Sequence, residues 1–256
     1  MAVMTVAGSD PSGGAGVQAD LRVFNRLNLL GLSVISALTA QNTKDVKSVN
    51  TVTAGEVKAQ LESVTSDIQP LMTKTGMLPS ADIIEEVYTF AVSGRLGGLI
   101  IDPVLKSSSG VKLAEEGCAR KLMQRLAPHC LLMTPNIMEA AMLTDRKVEN
   151  ANEAIEAARA LVDAGAGAVC VTGGHWPDAP IDYLFDGEQV YEFTGERMPG
   201  GPFHGTGCFF SAAATGFLAL GAEMPEALLK AKRLLEQAMK DAISPGAGMK
   251  ILWLKR

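Results

Sequence analysis

Residues 204–208, HGTGC, place the thiol of Cys208 directly behind two glycines and ahead of the apolar run FFSAAATGFLAL. Gly205 and Gly207 permit backbone conformations that a Cβ penalises. The run after them is apolar on most sides, which predicts a buried helix whose N-terminus faces inward. The amides of such a first turn form an anion site, and their partial positive charge would depress a thiol pKa. Cysteine is also among the residue types most often simply buried. The segment alone therefore admits a reactive thiol or a structural one.

Four other loops carry polar groups at the ends of apolar runs. Asp102 closes GGLIID ahead of Pro103 and Val104; an acid there caps a helix, pairs with a cation or sits in a solvated site, because burying it unpaired costs several kcal/mol. In TPNIMEA, residues 134–140, Asn136 and Glu139 share a helical face, a spacing that serves an acidic site or an ordinary capping box. VTGGH sets Thr172, Gly173 and Gly174 in a tight turn or a seat for nucleotide phosphate or ribose. AGSDPSGGAGVQAD, residues 7–20, has glycines at 8, 13, 14 and 16. Its amides can approach a ligand and its exit into a helix favours an anion, although it is neither a GxxxxGK[ST] loop nor a correctly spaced GxGxxG.

The elements that must position these loops alternate. Short apolar runs at 2–8, 32–38, 96–104, 130–136 and 167–174 are separated by longer helical patterns, the signature of βαβ units and a mainly parallel sheet. Open sheets of this kind bind ligands at the carboxyl ends of their strands, where these loops converge. NANEAIEAARALVDAGAG reads as a helix with an asparagine cap and a closing glycine. Around 181–194, Asp186-Gly187 between two strand-like runs predicts a hairpin and an antiparallel edge. With no repeat, low-complexity tract or linker, the reading is one domain over residues 1–256.

Composition removes other classes. At 47% hydrophobic and 20% charged, the 256 residues suit a globular protein with a sizeable core. A net charge of -5 builds no broad basic surface, so nucleic acid is not an expected partner. There is neither a secretory signal nor an apolar run approaching the ~18 residues of a membrane span, which predicts a cytoplasmic protein with no membrane partner. Cys118, Cys130, Cys170 and Cys208 form no CxxC pair, so zinc and disulfide frameworks are not signalled.

In order along the chain, AGSDPSGGAGVQAD, ALTAQNT (37–43), TKTGML (73–78), IIDPV (100–104), TPNIMEA, VTGGH and HGTGC closely resemble the motifs of the hydroxymethylpyrimidine/phosphomethylpyrimidine kinase family of thiamin biosynthesis, within the ribokinase-like superfamily. The match runs from residue 7 to 208 and along the apolar helix to about residue 220.

The resemblance implies a ribokinase-like three-layer α/β/α sandwich. It also implies ATP-dependent phosphorylation of 4-amino-5-hydroxymethyl-2-methylpyrimidine and of its monophosphate, with Mg²⁺, in a homodimer. By the same resemblance, Asp20, Gln41, Met77 and Val104 line the pyrimidine pocket, with Gly8 at its backbone edge. Gln offers a donor and an acceptor to an aminopyrimidine edge, and Met and Val offer apolar surface. Asp102 and Glu139 lie near Mg²⁺, and Lys106, Thr172 and Gly174 meet ATP. Gly205, Thr206 and Gly207 form the anion hole, and Cys208 takes the proton or orients the substrate. Thr172 stands where many members have lysine. The alternatives are a pyridoxal or pyridoxine kinase, which Gln41 and Met77 disfavour, and a pyrimidine-binding domain without catalysis.

Overall fold

The computed structural model describes residues 1–106, 110–174 and 179–255. Residues 107–109 of LKSSSG and His175 of VTGGH lie outside the described residues. The chain begins with β1 (Ala2–Ser9), α1 (Gly16–Arg26), β2 (Leu30–Gln41), β3 (Val46–Thr51) and α2 (Ala54–Thr65). It continues through β4 (Met72–Thr75), α3 (Ala81–Val92), β5 (Gly98–Ile101), α4 (Cys118–Arg125), β6 (Cys130–Met133), α5 (Ile137–Thr144) and α6 (Ala151–Asp163). β7 (Val169–Val171), β8 (Ile181–Phe185), β9 (Val190–Thr194), β10 (Phe203–His204), α7 (Thr206–Ala219), α8 (Met224–Lys240) and β11 (Lys250–Ile251) complete it.

Among the described residues nine strands form one sheet in the order β3-β2-β1-β4-β5-β6-β7-β8-β9. From β2 to β7 neighbouring strands are parallel. The expected hairpin is present: β8 and β9 are antiparallel, with the Asp186 carboxylate accepting from the amides of Glu188 and Gln189 across the turn. The sheet has a second antiparallel edge that the sequence reading did not contain, because β3 folds back on β2.

The alternation of side chains divides the core in two. Met4, Val6, Leu99, Ile101, Met133, Val169 and Val171 face the layer built by α2 to α6. Val3, Ile100, Leu132, Cys170 and Leu184 face α1, α7 and α8. A period of two in the strands thus gives each face its own apolar set. The chain moves outward from β1 to β2 through α1, then returns to β4 on the other side of β1 through α2. Right-handed crossovers in opposite directions put those two helices on opposite faces, and the reversal leaves a crevice at the carboxyl ends of β1 and β4.

α6 shows the caps expected of it: Asn150 accepts from the Glu153 amide, and Gly165 lies just past the end at φ +117. α7 is buried over most of its surface, including Phe209, Phe210, Ala212, Ala213 and Ala214. Residues 243–251 fold back across the strand ends. The Met249 amide donates to Thr43 O and the Lys250 amide to Pro202 O, tying the loop after β2 to the loop before α7.

Candidate active site

The strand ends enclose a cavity of about 540 Å³. Its wall can be followed from residue to residue. Gln41, at the end of β2, lies 2.7 Å from His204, which leads into Gly205, Thr206, Gly207 and Cys208. Ser211, one turn further along α7, donates to Asp102 at 2.9 Å. Asp102 interacts with Glu139, whose helix cap Asn136 bridges to Thr172. Val104, Lys106 and Gly174 complete the expected residues that the cavity brings together.

Three expected pocket residues are not on that wall. Asp20 is fully buried, with Lys74 Nζ 2.9 Å from both carboxylate oxygens and the Thr5 hydroxyl donating at 2.6 Å. Both of its carboxylate oxygens thus meet that cation. Gly8 and Met77 pack on each other instead: a Cβ at Gly8 would meet the Met77 sulfur at 3.1 Å. Neither reaches the cavity.

The N-terminus of α7 is built to leave amides free. Gly205 caps it at φ +75 with no side-chain cap, and no acidic residue occupies the first turn. The first-turn amides of Thr206, Gly207 and Cys208 therefore have no intrahelical acceptor and face the cavity. Side chains at Gly14 and Gly205 would overlap the His204 ring and Gly14 O respectively, so two loop backbones pack directly on each other. Cys208 is half-buried, and the Gly16 amide donates to its sulfur. The expected depression of this thiol is not what its surroundings produce. Burial pushes it up to about 12, against the pull of Lys74 and with Asp102 and Asp20 reinforcing the rise. Desolvation outweighs the helix end here.

The acids show a different balance. Asn136 and Glu139 form a full capping box, and Glu139, only 6% exposed, also faces the cavity. Burial, then the charge of Asp102, raises Glu139 to about 8, while the amides of Asn136 and Leu105 oppose the rise. Asp102 is 3% exposed and lies 3.5 Å from Lys74 Nζ. Lys74 is held firmly as a cation: burial disfavours its charge, but Asp20, with Asp102 adding to it, more than offsets this.

Lys74, Asp10, His204 and the pair Lys232–Asp182 had no role in the sequence reading. Lys74 sits inside TKTGML, and its signal was a lysine in an otherwise buried strand. Asp10 accepts from the Ser12, Gly14 and Ala15 amides, the Ser12 hydroxyl and His204. Burial opposes its ionisation, but the bonds from His204 and Ser12 prevail and hold it below the ordinary carboxylate range. Lys232 of α8 donates to Asp182 at 2.7 Å and to Pro180 O, while Asp182 accepts from the Gly173 amide. Nothing local in the sequence joins residue 232 to residue 173.

A family model described as phosphomethylpyrimidine kinase matches residues 10–253, which takes in the whole cavity wall. The chain belongs to the phosphomethylpyrimidine kinase family. It is 40% identical to the hydroxymethylpyrimidine/phosphomethylpyrimidine kinase of Escherichia coli, over 93% of this chain and 91% of that protein. It is also 40% identical to the thiamine biosynthesis bifunctional protein ThiED of Geobacter sulfurreducens, but 96% of this chain spans only half of that protein's length. The ADP complex of Bacillus subtilis pyridoxal kinase superposes with a TM-score of 0.89 at 34% identity, covering 98% of this chain and 96% of the other. The ribokinase-like three-layer fold is thus shared across kinases of this family and pyridoxal kinases. No helix among the described residues is long and apolar enough to cross a membrane.

Proposed function

We propose that the protein, acting over residues 1–256 as one domain, transfers the terminal phosphoryl group of ATP to the hydroxymethyl oxygen of 4-amino-5-hydroxymethyl-2-methylpyrimidine. A second transfer to the resulting monophosphate gives the diphosphate. The observation that carries this reading is the continuous wall from Gln41 through the uncapped start of α7 and Cys208 to Asp102, Glu139 and Thr172. It supplies, in order, a ring contact, an anion hole and an acidic phosphate end.

Phosphoryl transfer is mainly positioning and charge stabilisation. The substrate oxygen forms a bond to the γ-phosphorus as the bond to ADP breaks. The amides of Thr206, Gly207 and Cys208 stabilise charge on the moving group, and Lys106 and the Thr172–Gly174 turn hold the nucleotide. A thiol raised to about 12 is a hydrogen-bonding partner for the alcohol rather than its base. The alcohol proton then leaves late, to water or phosphate oxygen.

Asp102 and Glu139 fit Mg²⁺, since a divalent cation would offset the burial that chiefly raises Glu139 and the charge of Asp102 that adds to it. Among the described residues no three His, Cys, Asp or Glu side chains cluster around one ion position, so phosphate and water oxygens would complete the shell. When bound, the ion neutralises phosphate charge.

Mass analysis of products formed from the alcohol and ATP tests the proposal, with mono- and diphosphate both expected. The B. subtilis pyridoxal kinase likeness favours a second reading, and a kcat/KM for pyridoxine well above that for the pyrimidine would replace the first. Pyrimidine binding without ATP consumption would leave only a binding domain. A homodimer is part of the proposal, and light scattering at a monomer mass would remove it.

A further inference from the structure

The amides at the start of α7 serve a moving phosphoryl group only if the turn before them is held still, and no side chain caps the helix to hold it. The residue leading into Gly205 is His204, which is buried, with Nε2 2.8 Å from Oδ2 of Asp10. Asp10 is also buried and lies in the glycine-rich loop before α1. That loop offers its amides to its own carboxylate: Ser12, Gly14 and Ala15 donate their N–H groups to Asp10, and Ser12 adds its hydroxyl. The Asp10 amide in turn donates to Oε1 of Gln18 in the first turn of α1, so the carboxylate is a fixed post. A carboxylate so surrounded accepts, and the hydrogen between it and His204 belongs to Nε2. That nitrogen carries one hydrogen, which Asp10 takes; Gln41, 2.7 Å from the same atom, has no share in that bond. The backbones are equally close, since a Cβ at Gly14 would overlap the His204 ring and one at Gly205 would overlap Gly14 O. One loop thus meets the turn on both sides, at His204 and, through the Gly16 amide, at the Cys208 sulfur.

We infer that Asp10 and His204 form a latch that sets the direction of the first-turn amides of α7, which makes both of them positioning residues for phosphoryl transfer. Neither touches the reacting atoms. The role rests on the kinase reading above and deepens it: the anion hole is assembled from two distant stretches, residues 10–16 and 204–208. A loosened latch leaves every amide present but misaimed. Misplacement by about 1 Å is enough to cost about 10²-fold in rate.

The test compares two replacements of one side chain. His204→Leu removes the donor at similar volume, and His204→Gln keeps a donor where Nε2 stands. In a folded His204→Leu protein kcat is expected to fall roughly 10- to 100-fold, while KM for the pyrimidine alcohol and for ATP each change less than about threefold. His204→Gln is expected to keep kcat within about fivefold of the unmodified protein. ADP with Mg²⁺ and aluminium fluoride mimics the moving phosphoryl group. Its affinity in the presence of the alcohol, read by calorimetry, is expected to fall in His204→Leu by the same factor as kcat, while that of ADP alone holds. An unchanged kcat in His204→Leu overturns the inference, as does a His204→Gln protein equally slow. A loss confined to KM for the pyrimidine also overturns it, since His204 would then serve the ring end. If neither variant folds, the unmodified protein decides: ¹⁵N spectra of labelled histidine are expected to show His204 with a solvent-protected proton on Nε2, and a proton on Nδ1 alone overturns the latch. An unmodified protein that phosphorylates neither the pyrimidine nor pyridoxal removes the kinase reading and this role with it. Turnover of pyridoxal alone replaces the substrate, and the same kcat comparison made with pyridoxal then decides the latch.

Discussion

Two lysine–aspartate pairs are buried in the molecule, Lys232–Asp182 on the cavity wall and Lys74–Asp20 off it, and they do different work with the same chemistry. Lys74–Asp20 is fully buried at 2.9 Å, and the lysine also lies 3.5 Å from Asp102 and near Cys208. Lys232–Asp182, at 2.7 Å, is nearly as buried but spends its remaining hydrogen bonds on backbone, at Pro180 O and the Gly173 amide. The first pair sets the charge felt by Asp102 and Cys208. The second fixes the shape of a turn. A buried ion pair is weak evidence for stability, because desolvation consumes much of its attraction; what distinguishes the two is what else each ion touches.

The largest expected effect comes from Lys74→Met, which leaves Asp20 buried without its cation. Stability is expected to fall by about 3–5 kcal/mol and kcat by about 10²–10³-fold, read by denaturant titration and initial rates. Loss of stability with kcat retained would make the two pairs equivalent. Cys208→Ala is expected to lower kcat by roughly 10- to 100-fold while calorimetric pyrimidine affinity holds. In the unmodified protein, alkylation of this thiol by iodoacetamide is expected to go on accelerating up to about pH 10. Lys232→Met is expected to raise KM for ATP about 5- to 10-fold, with a smaller change in kcat and none in pyrimidine affinity. A fall in kcat matching that of Lys74→Met would erase the distinction. The smallest effect is a pH slope. With Glu139 raised to about 8, its contribution to stability is full below its ordinary value near 4.5 and is lost as pH rises through 8. Glu139→Gln is therefore expected to raise Tm relative to the unmodified protein at alkaline pH and not at pH 4, by calorimetry without nucleotide.

Much of the fold was legible because its signals are local. Val, Ile and Leu runs ending in Gly, Pro or Asp marked β1, β2, β5, β6 and β7, and Asn150 and Asp186-Gly187 marked a helix start and a hairpin. β4 was harder, since its four residues MTKT carry a lysine whose partner, Asp20, is 54 residues away. β3 is largely exposed and has no apolar pattern to betray it. Within the cavity wall, Asp102, Glu139 and the HGTGC turn drew notice from residue type and position, and Gln41 only through the resemblance of ALTAQNT to the family's motif. The protonation of Cys208 was not, because it depends on burial and on three charges brought together by the sheet. The pairing of Asp20 was hidden for the same reason: its carboxylate meets a lysine of β4, which local signals do not place beside it.

The fold-back of residues 243–251 gives the active site an order of assembly. The loop bearing Thr43 is synthesised early, yet the amide that pins it belongs to Met249, and the neighbouring pin on Pro202 belongs to Lys250. A ribosome translating this chain has therefore completed β4 to β9 well before the loop after β2 can be pinned. Until residue 251 has emerged, the nascent protein is a sheet with one open corner.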